Sequence, residues 1–324
     1  MNKFTYIGFT ILITGILVWC YLHSQGSILH NPNISWGVGW NNNTSTYSGS
    51  EVNFTVNHSK NITIDISSNS KADQGVEVRI DSNQIDSRQV NNDRQIKTYH
   101  IDPTSPHTIS IRHFCTYLLY PCSITLHNIS IDRLASVVKP FTHSKPVLSV
   151  LGDSISTMYG IQNYAFLLSD TLHFELHNAS IMGSTITQVE NANSASLRYE
   201  RDLKQSKSTY TIIFLGTNDA KHSVDQEIFY ETYSRMVEQI LKWNSSQSVL
   251  LVGILPRKDL DQRIINSYNL MISKIATEQH LDYIDTSNWL TSEDFADDIH
   301  PSIEGQKKIF SKLLEYYQIK VKNL

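Results

Sequence analysis

The chain has 324 residues, 40% of them hydrophobic and 18% charged, with a formal net charge of −4. This is the composition of a globular protein long enough for two domains, and it excludes an intrinsically disordered chain. The mild acidity and the lack of any Lys/Arg-rich run exclude the electrostatic footprint of a nucleic-acid binder.

The first element is apolar. From Phe4 to Leu22 no side chain is charged, and ILITGILVW lies at its centre. That length sits at the lower end for a membrane-spanning helix and exceeds a usual signal-peptide core. Lys3 and the amino terminus supply the nearby positive charge, which points the rest of the chain out of the cytoplasm. Residues 1–24 are therefore read as a signal anchor in the membrane, with a cleaved signal peptide as the alternative. Either way the remainder is extracytoplasmic, anchored or secreted. Residues 25–33 are polar and read as a linker.

From residue 34 to 140 the apolar residues recur two apart in EVNFTVN, NITIDIS, GVEVRID, QIKTYHID, HTISIRH and SITLHNISID. Short alternating runs split by turn clusters, with no helical stretch between them, predict an antiparallel β-sandwich of jelly-roll type. Cys115 and Cys122 bracket TYLLYP, a spacing suited to a loop closed by a disulfide, and an exported domain permits that bond. Two free buried thiols are the alternative. Trp36 and Trp40 suit either core packing or stacking on sugar rings. His107, His113 and His127 fall on predicted strands without metal-ligand spacing, so no metal is assigned.

At Lys145 the pattern changes. Strands PVLSVLG, HFELHN, YTIIFLG, SVLLVGIL and LDYIDT alternate with helical stretches, the clearest being QEIFYETYSRMVEQILKW, QRIINSYNLMISKIATEQ and SIEGQKKIFSKLLEYY. Residues 145–324 thus read as an α/β domain, a three-layer doubly wound parallel sheet of flavodoxin-like type. In such sheets chemistry collects at the carboxyl ends of the strands.

Those ends are polar. The first strand ends in Gly152-Asp153-Ser154, NASIMGS places Gly183 in a loop, and the third strand ends in Gly216-Thr217-Asn218-Asp219. SEDFADDIHPS then delivers Asp297, Asp298 and His300 just before the last helix. A serine hydroxyl needs an adjacent base, which His300 supplies, and a carboxylate three residues earlier can orient the imidazole. Asp297 has that spacing and is preferred to Asp298. Backbone N–H groups of Ser154 and Gly183, with the Asn218 amide, would form an oxyanion hole. Gly152 is expected to let substrate come close to the serine.

These four blocks, in this order, resemble the SGNH (GDSL-type) hydrolase superfamily from about Pro146 to the C-terminus. The resemblance implies that Ser154, Gly183, Asn218 and His300 are the namesake residues and that Asp297 is the acid. Ile155 stands where the first motif commonly has Leu, and Asp298 where Gly is frequent. A β-sandwich ahead of such a domain resembles carbohydrate esterase family two, which implies removal of acetyl groups from plant polysaccharides without metal or cofactor. The expected partners are an acylated carbohydrate and, through residues 1–24, a membrane. The same residues would serve a lipase, a thioesterase or an acyltransferase. The polar stretch from Ser184 to Ser208 argues against an acyl-chain tunnel. An inactive anchored carbohydrate-binding protein is the non-enzymatic alternative, and completeness of the four blocks argues against it.

Overall fold

The computed structural model describes residues 24–68, 73–117, 122–138, 145–190, 192–243 and 247–322. The apolar segment read as an anchor lies outside them. Among the described residues no helix is long and apolar enough to cross a membrane.

The first domain is two antiparallel sheets face to face. Its strands are β1 (Gln25–Ser27), β2 (Ser35–Trp36), β3 (Trp40–Asn41), β4 (Thr44–Ser45), β5 (Glu51–Asn57) and β6 (Asn61–Ser68). Then come β7 (Asp73–Ile80), β8 (Asn83–Gln89), β9 (Gln95–His100), β10 (His107–Tyr117), β11 (Ile124–Asp132) and β12 (Ser136–Val138). One sheet runs β3-β4-β11-β6-β9 with β1 also on β11; the other runs β12-β5-β10-β7-β8 with β2 on β5. The period-two residues meet between them: Val52, Phe54 and Val56 from β5, Ile62, Ile64 and Ile66 from β6, and Ile109 and Ile111 from β10. In β11 the alternation breaks, because a bulge at His127 inserts one residue between the Leu126–Ile66 and Asn128–Asp65 pairs. Ile124 and Leu126 before it, and Ile129 and Ile131 after it, therefore all reach the core.

Two readings change. Residues 25–33 do not form a linker: Gln25–Ser27 pairs with Ser130–Asp132, and Ile28 and Leu29 enter the core. Backbone hydrogen bonding, which composition does not display, recruits this polar stretch to the sheet. The strand β8 was not expected, since NQIDSRQ is an exposed edge with no buried face to alternate.

The second domain has a parallel sheet ordered β14-β13-β15-β16-β17. Its strands are β13 (Val147–Gly152), β14 (Glu175–Asn178), β15 (Tyr210–Phe214), β16 (Ser248–Val252) and β17 (Asp282–Ile284). The helices are α1 (Tyr164–Leu172), α2 (Tyr199–Leu203), α3 (Thr217–Lys221), α4 (Gln226–Trp243), α5 (Gln262–Glu278) and α6 (Ile303–Lys322). Alternate residues of β15 serve opposite layers. Ile212 and Phe214 pack with α1 and α6, while Ile213 packs with Phe229, Tyr233, Met236, Val237 and Ile240 of α4 and with α5.

The two domains share a polar and apolar seam. Asn178 N–H donates to Ser48 O (2.9 Å), and the Tyr47 ring lies 4.4 Å from His177. Arg112 of β10 clasps Asp170 of α1 through both terminal nitrogens (2.6 and 3.1 Å) and reaches Glu77. Its guanidinium stands 4.7 Å over the Phe166 ring. Burial opposes ionisation of Asp170, but Arg112 and Arg79 outweigh it and hold the carboxyl below its usual range. Glu77 is buried, so removing Arg112 takes away one of the two guanidiniums that compensate its charge. Arg112→Ala is expected to cost roughly 3 kcal/mol, seen as a fall in the denaturation midpoint with both domains affected. An unchanged midpoint would mean that the seam carries no stability.

Candidate active site

Strand order reverses between β13 and β15, and in open α/β sheets the ligand crevice lies at that reversal, beyond the carboxyl ends. Ser154 follows β13 directly. It opens a short 3-10 turn, Ser154–Ser156, whose cap is Asp153 accepting the Ile155 N–H (2.9 Å). The turn is held from four sides. Asn163 Nδ2 and Gln306 Nε2 donate to Ile155 O (3.0 and 2.9 Å), Asn178 Nδ2 donates to Ser156 O (2.6 Å), and Ser156 Oγ meets Tyr164 Oη (2.7 Å). The serine therefore stands on a rigid corner.

Gly152 has a different task from the one expected. A Cβ there would lie 2.3 Å from Ser156 Oγ and 2.8 Å from Ser180 Oγ, both in the interior. The missing side chain makes room for the tight serine turn and not for substrate. Gly183, in contrast, has φ +69° with nothing within 4 Å of the Cβ position. Its left-handed backbone calls for glycine while the space over it stays open.

His300 is delivered by the loop after β17. Asp294, buried in that loop, accepts the Thr291 N–H (2.7 Å), the Thr291 hydroxyl (2.9 Å) and Lys308 Nζ (2.8 Å). The loop closes through Ala296 N–H to His300 O (2.8 Å). His300 Nε2 then lies 3.0 Å from Ser154 Oγ, and its Nδ1 lies 2.7 Å from Asp297 Oδ2. Asp297 Oδ1 also accepts the backbone N–H groups of Ile299 and His300 (2.7 and 2.6 Å). Partial burial works against the Asp297 charge, and the bonds from His300 and Ile299 outweigh it, holding the carboxyl below its usual range. The Asp298 carboxylate meets no partner among the described residues; only its backbone carbonyl is engaged, by Lys258 N–H (2.9 Å). The two acids thus separate by geometry.

The loop of Gly183 joins the serine corner through Ile181 N–H to Gly152 O (3.2 Å). It joins α3 through Asn218 Nδ2 to Ser184 O (2.9 Å). The N–H groups of Ser154 and Gly183 meet no acceptor among the described residues, as an anion-binding pair would require. The Asn218 amide is shared, with Asp153 Oδ2 at 3.5 Å as its second neighbour.

Three supporting residues escaped the sequence reading. Asp219, buried, accepts the N–H groups of Ile186 and Thr187 and the Thr187 hydroxyl (2.8, 3.0 and 2.8 Å). It locks the glycine loop to α3. Arg198, also buried, donates to Ala179 O, Ser184 Oγ and Asp202 from below. Asp153 is wholly buried, and burial pushes its carboxyl up to about 7 against the opposing pull of the Ile155 N–H, His300 and Arg257. The adjacency of Asp219 to Asn218 and that of Asp153 to Ser154 were the local signals; the role of Arg198 depends on tertiary packing.

Away from this edge, Cys115 and Cys122 are joined in a disulfide with Cα atoms 6.5 Å apart. His113 lies against both sulfurs, and the three possible ligand atoms fall within 4.8 Å of one another. Sulfurs bonded to each other are not thiolates, so the cluster as it stands is not a metal site.

Residues 150–308 match the GDSL-like Lipase/Acylhydrolase family. Comparison with curated protein sequences finds no significant match. Among solved structures, a family two carbohydrate esterase from Cellvibrio japonicus superposes with TM-score 0.75 at 17% identity, covering 91% of this chain and 97% of that one. A family two carbohydrate esterase from Clostridium thermocellum in complex with cellohexaose gives 0.74 at 14%, over 90% and 100%. The acetyl xylan esterase Est2A from the rumen bacterium Butyrivibrio proteoclasticus gives 0.72 at 14%, over 92% and 99%. Residues 150–308 thus combine a match to the GDSL-like Lipase/Acylhydrolase family with an SGNH-type fold, and the chain shares the two-domain fold of family two carbohydrate esterases.

Proposed function

We propose that the chain is a serine esterase that removes O-acetyl groups from a polysaccharide through an acyl-enzyme. The observation that carries this reading is the continuous relay from Asp297 through His300 to Ser154 Oγ, with spacings of 2.7 and 3.0 Å, beside two unpartnered backbone N–H groups. The structural match to carbohydrate esterases over 91–92% of this chain, one of them an acetyl xylan esterase, supports the substrate class.

Ser154 Oγ attacks the ester carbonyl carbon while His300 Nε2 takes its proton. Asp297 holds Nδ1–H toward itself, which leaves Nε2 free to accept, and it steadies the imidazolium. Negative charge on the former carbonyl oxygen is met by the N–H groups of Ser154 and Gly183 and by Asn218 Nδ2; each such donor is worth about 2.7–4 kcal/mol of barrier. Collapse breaks the bond to the sugar oxygen, which takes the proton from His300. Water then gives its proton to His300, attacks the acyl-Ser154 carbonyl, and acetate leaves with the serine restored. Below about pH 7 the proton that burial retains on Asp153 keeps a second negative charge away from that oxygen. The apolar stretch from Phe4 to Leu22 supports action outside the cytoplasm.

Ser154→Ala is expected to abolish release of p-nitrophenol from p-nitrophenyl acetate with little change in melting temperature; undiminished turnover would remove Ser154 from the mechanism. Asp297→Asn should lower kcat at least about 100-fold, and Asp298→Asn should leave it near wild type; the reverse ranking would reassign the acid. The raised Asp153 carboxyl has a sign that can be checked. Between its ordinary value of 3.8 and about 7 the folded state retains a proton that the unfolded state releases, so stability is lost as pH rises through this window. Melting curves of Asp153→Asn should therefore gain on wild type from pH 4 to 7 and run parallel above it. Curves parallel throughout would place the group at an ordinary value.

A further inference from the structure

The sandwich carries a cavity of about 820 Å³ that the serine site does not use. Its volume lies within the roughly 300–1,000 Å³ range of small-ligand clefts. Trp36 and Trp40 line it, along with His30, Asn31, Asn42 and His127. The two indoles are only partly buried. Each packs against the sandwich core, and their planes meet at 65° with centroids 5.3 Å apart, so together they form a corner. The Trp40 indole N–H has no acceptor among the described residues, so no hydrogen bond accounts for the ring's position.

The polar side of the cavity is built. The bulge in β11 is the extra residue His127 itself, whose Nε2 is fixed 2.7 Å from Ser67 Oγ. Bulges of this kind re-aim a side chain. The β3–β4 hairpin is pinned to β11 by Asn43 Nδ2 to Leu126 O (2.9 Å), with Asn42 at its tip in the left-handed region (φ 55°). No Asp, Glu, Lys or Arg is among the lining residues. Aromatic faces suit the C–H faces of pyranose rings. Amides and imidazoles that donate and accept suit their hydroxyls, and the absence of fixed charge selects against phosphates and charged peptides.

The cavity is also remote from Ser154. Between the two tryptophans, the Val38 N–H donates to the Glu175 carboxylate at the first residue of β14. Ser154 stands beyond the opposite, carboxyl end of that sheet. We propose that the cavity formed by Trp36, Trp40 and the His127 bulge is a second, non-catalytic carbohydrate site that holds a neutral oligosaccharide segment. Binding there is independent of ester turnover at Ser154.

Affinity electrophoresis of the full-length chain in gels containing xylan, glucomannan or mixed-linkage β-glucan tests this, with xylohexaose and cellohexaose titrations to give Kd. Ser154→Ala should be retarded like wild type by at least one polymer. Trp36→Ala and Trp40→Ala should bind at least about tenfold more weakly, as loss of an aromatic anchor entails, while turning over p-nitrophenyl acetate at the wild-type rate. Trp36→Tyr, which keeps a flat ring, should restore most of the binding. Should the alanine variants melt early, His30→Ala at the exposed rim decides, with measurably weaker binding expected. Wild type unretarded by all three polymers, or Trp36→Ala and His30→Ala retarded like wild type, overturns the site.

Discussion

The hydrogen bond between Ser154 and His300 joins the loop after the first strand of the parallel sheet to the loop before the last helix, 146 residues apart in the chain. Nothing local holds these residues together. Their 3.0 Å contact requires the sheet to hold β13 between β14 and β15, the serine corner to be rigid, and the histidine loop to be clamped by Asp294 from within. Each clamp is a buried polar group fully engaged, and the cost of leaving such groups unpaired makes alternative loop arrangements expensive. The same logic holds for Asp219, which ties the glycine loop to α3 through three hydrogen bonds.

The sandwich bears on this frame. Arg112 reaches from β10 to Asp170 at the end of α1, the helix whose first turn bonds to Gln306 and, through Tyr164, to Ser156. Ser48 bonds to the end of β14, next to the segment that leads into Gly183. The seam thus stiffens the elements that carry the serine and the glycine loop. Arg112 and Glu77 are buried while Arg79 and Asp170 keep partial exposure, so removing one partner of the buried pair leaves the other poorly compensated.

Much of this was legible in the sequence because it obeys local rules. The strand runs of the parallel sheet, the apolar face of α4 and the polar strand ends follow from period and position. The four motif blocks needed only their order along a βα pattern to be read together. What escaped depends on distant partners. The polar run at Gln25–Ser27 is a strand because β11 offers it a free edge. Gly152 looks like a substrate-facing glycine, but its role is set by Ser156 and Ser180, which fold back against it. Asp153 reads as a turn residue until its burial is known, whereas the three-residue spacing to His300 already favoured Asp297 over Asp298. The bulge at His127 left a visible trace, a break in the alternation of LHNISI, whose meaning appears once the cavity beside it is seen.

The central claim is a covalent one, that the acyl group passes through Ser154. Rapid quenching of the full-length chain during turnover of p-nitrophenyl acetate, followed by digestion and peptide mass spectrometry, addresses it directly. A single acetyl group on Ser154, absent from Ser154→Ala and accumulating in the presence of Asp297→Asn, is the expected result. Acetate release with no label on Ser154, or with the label on another residue, would contradict the account.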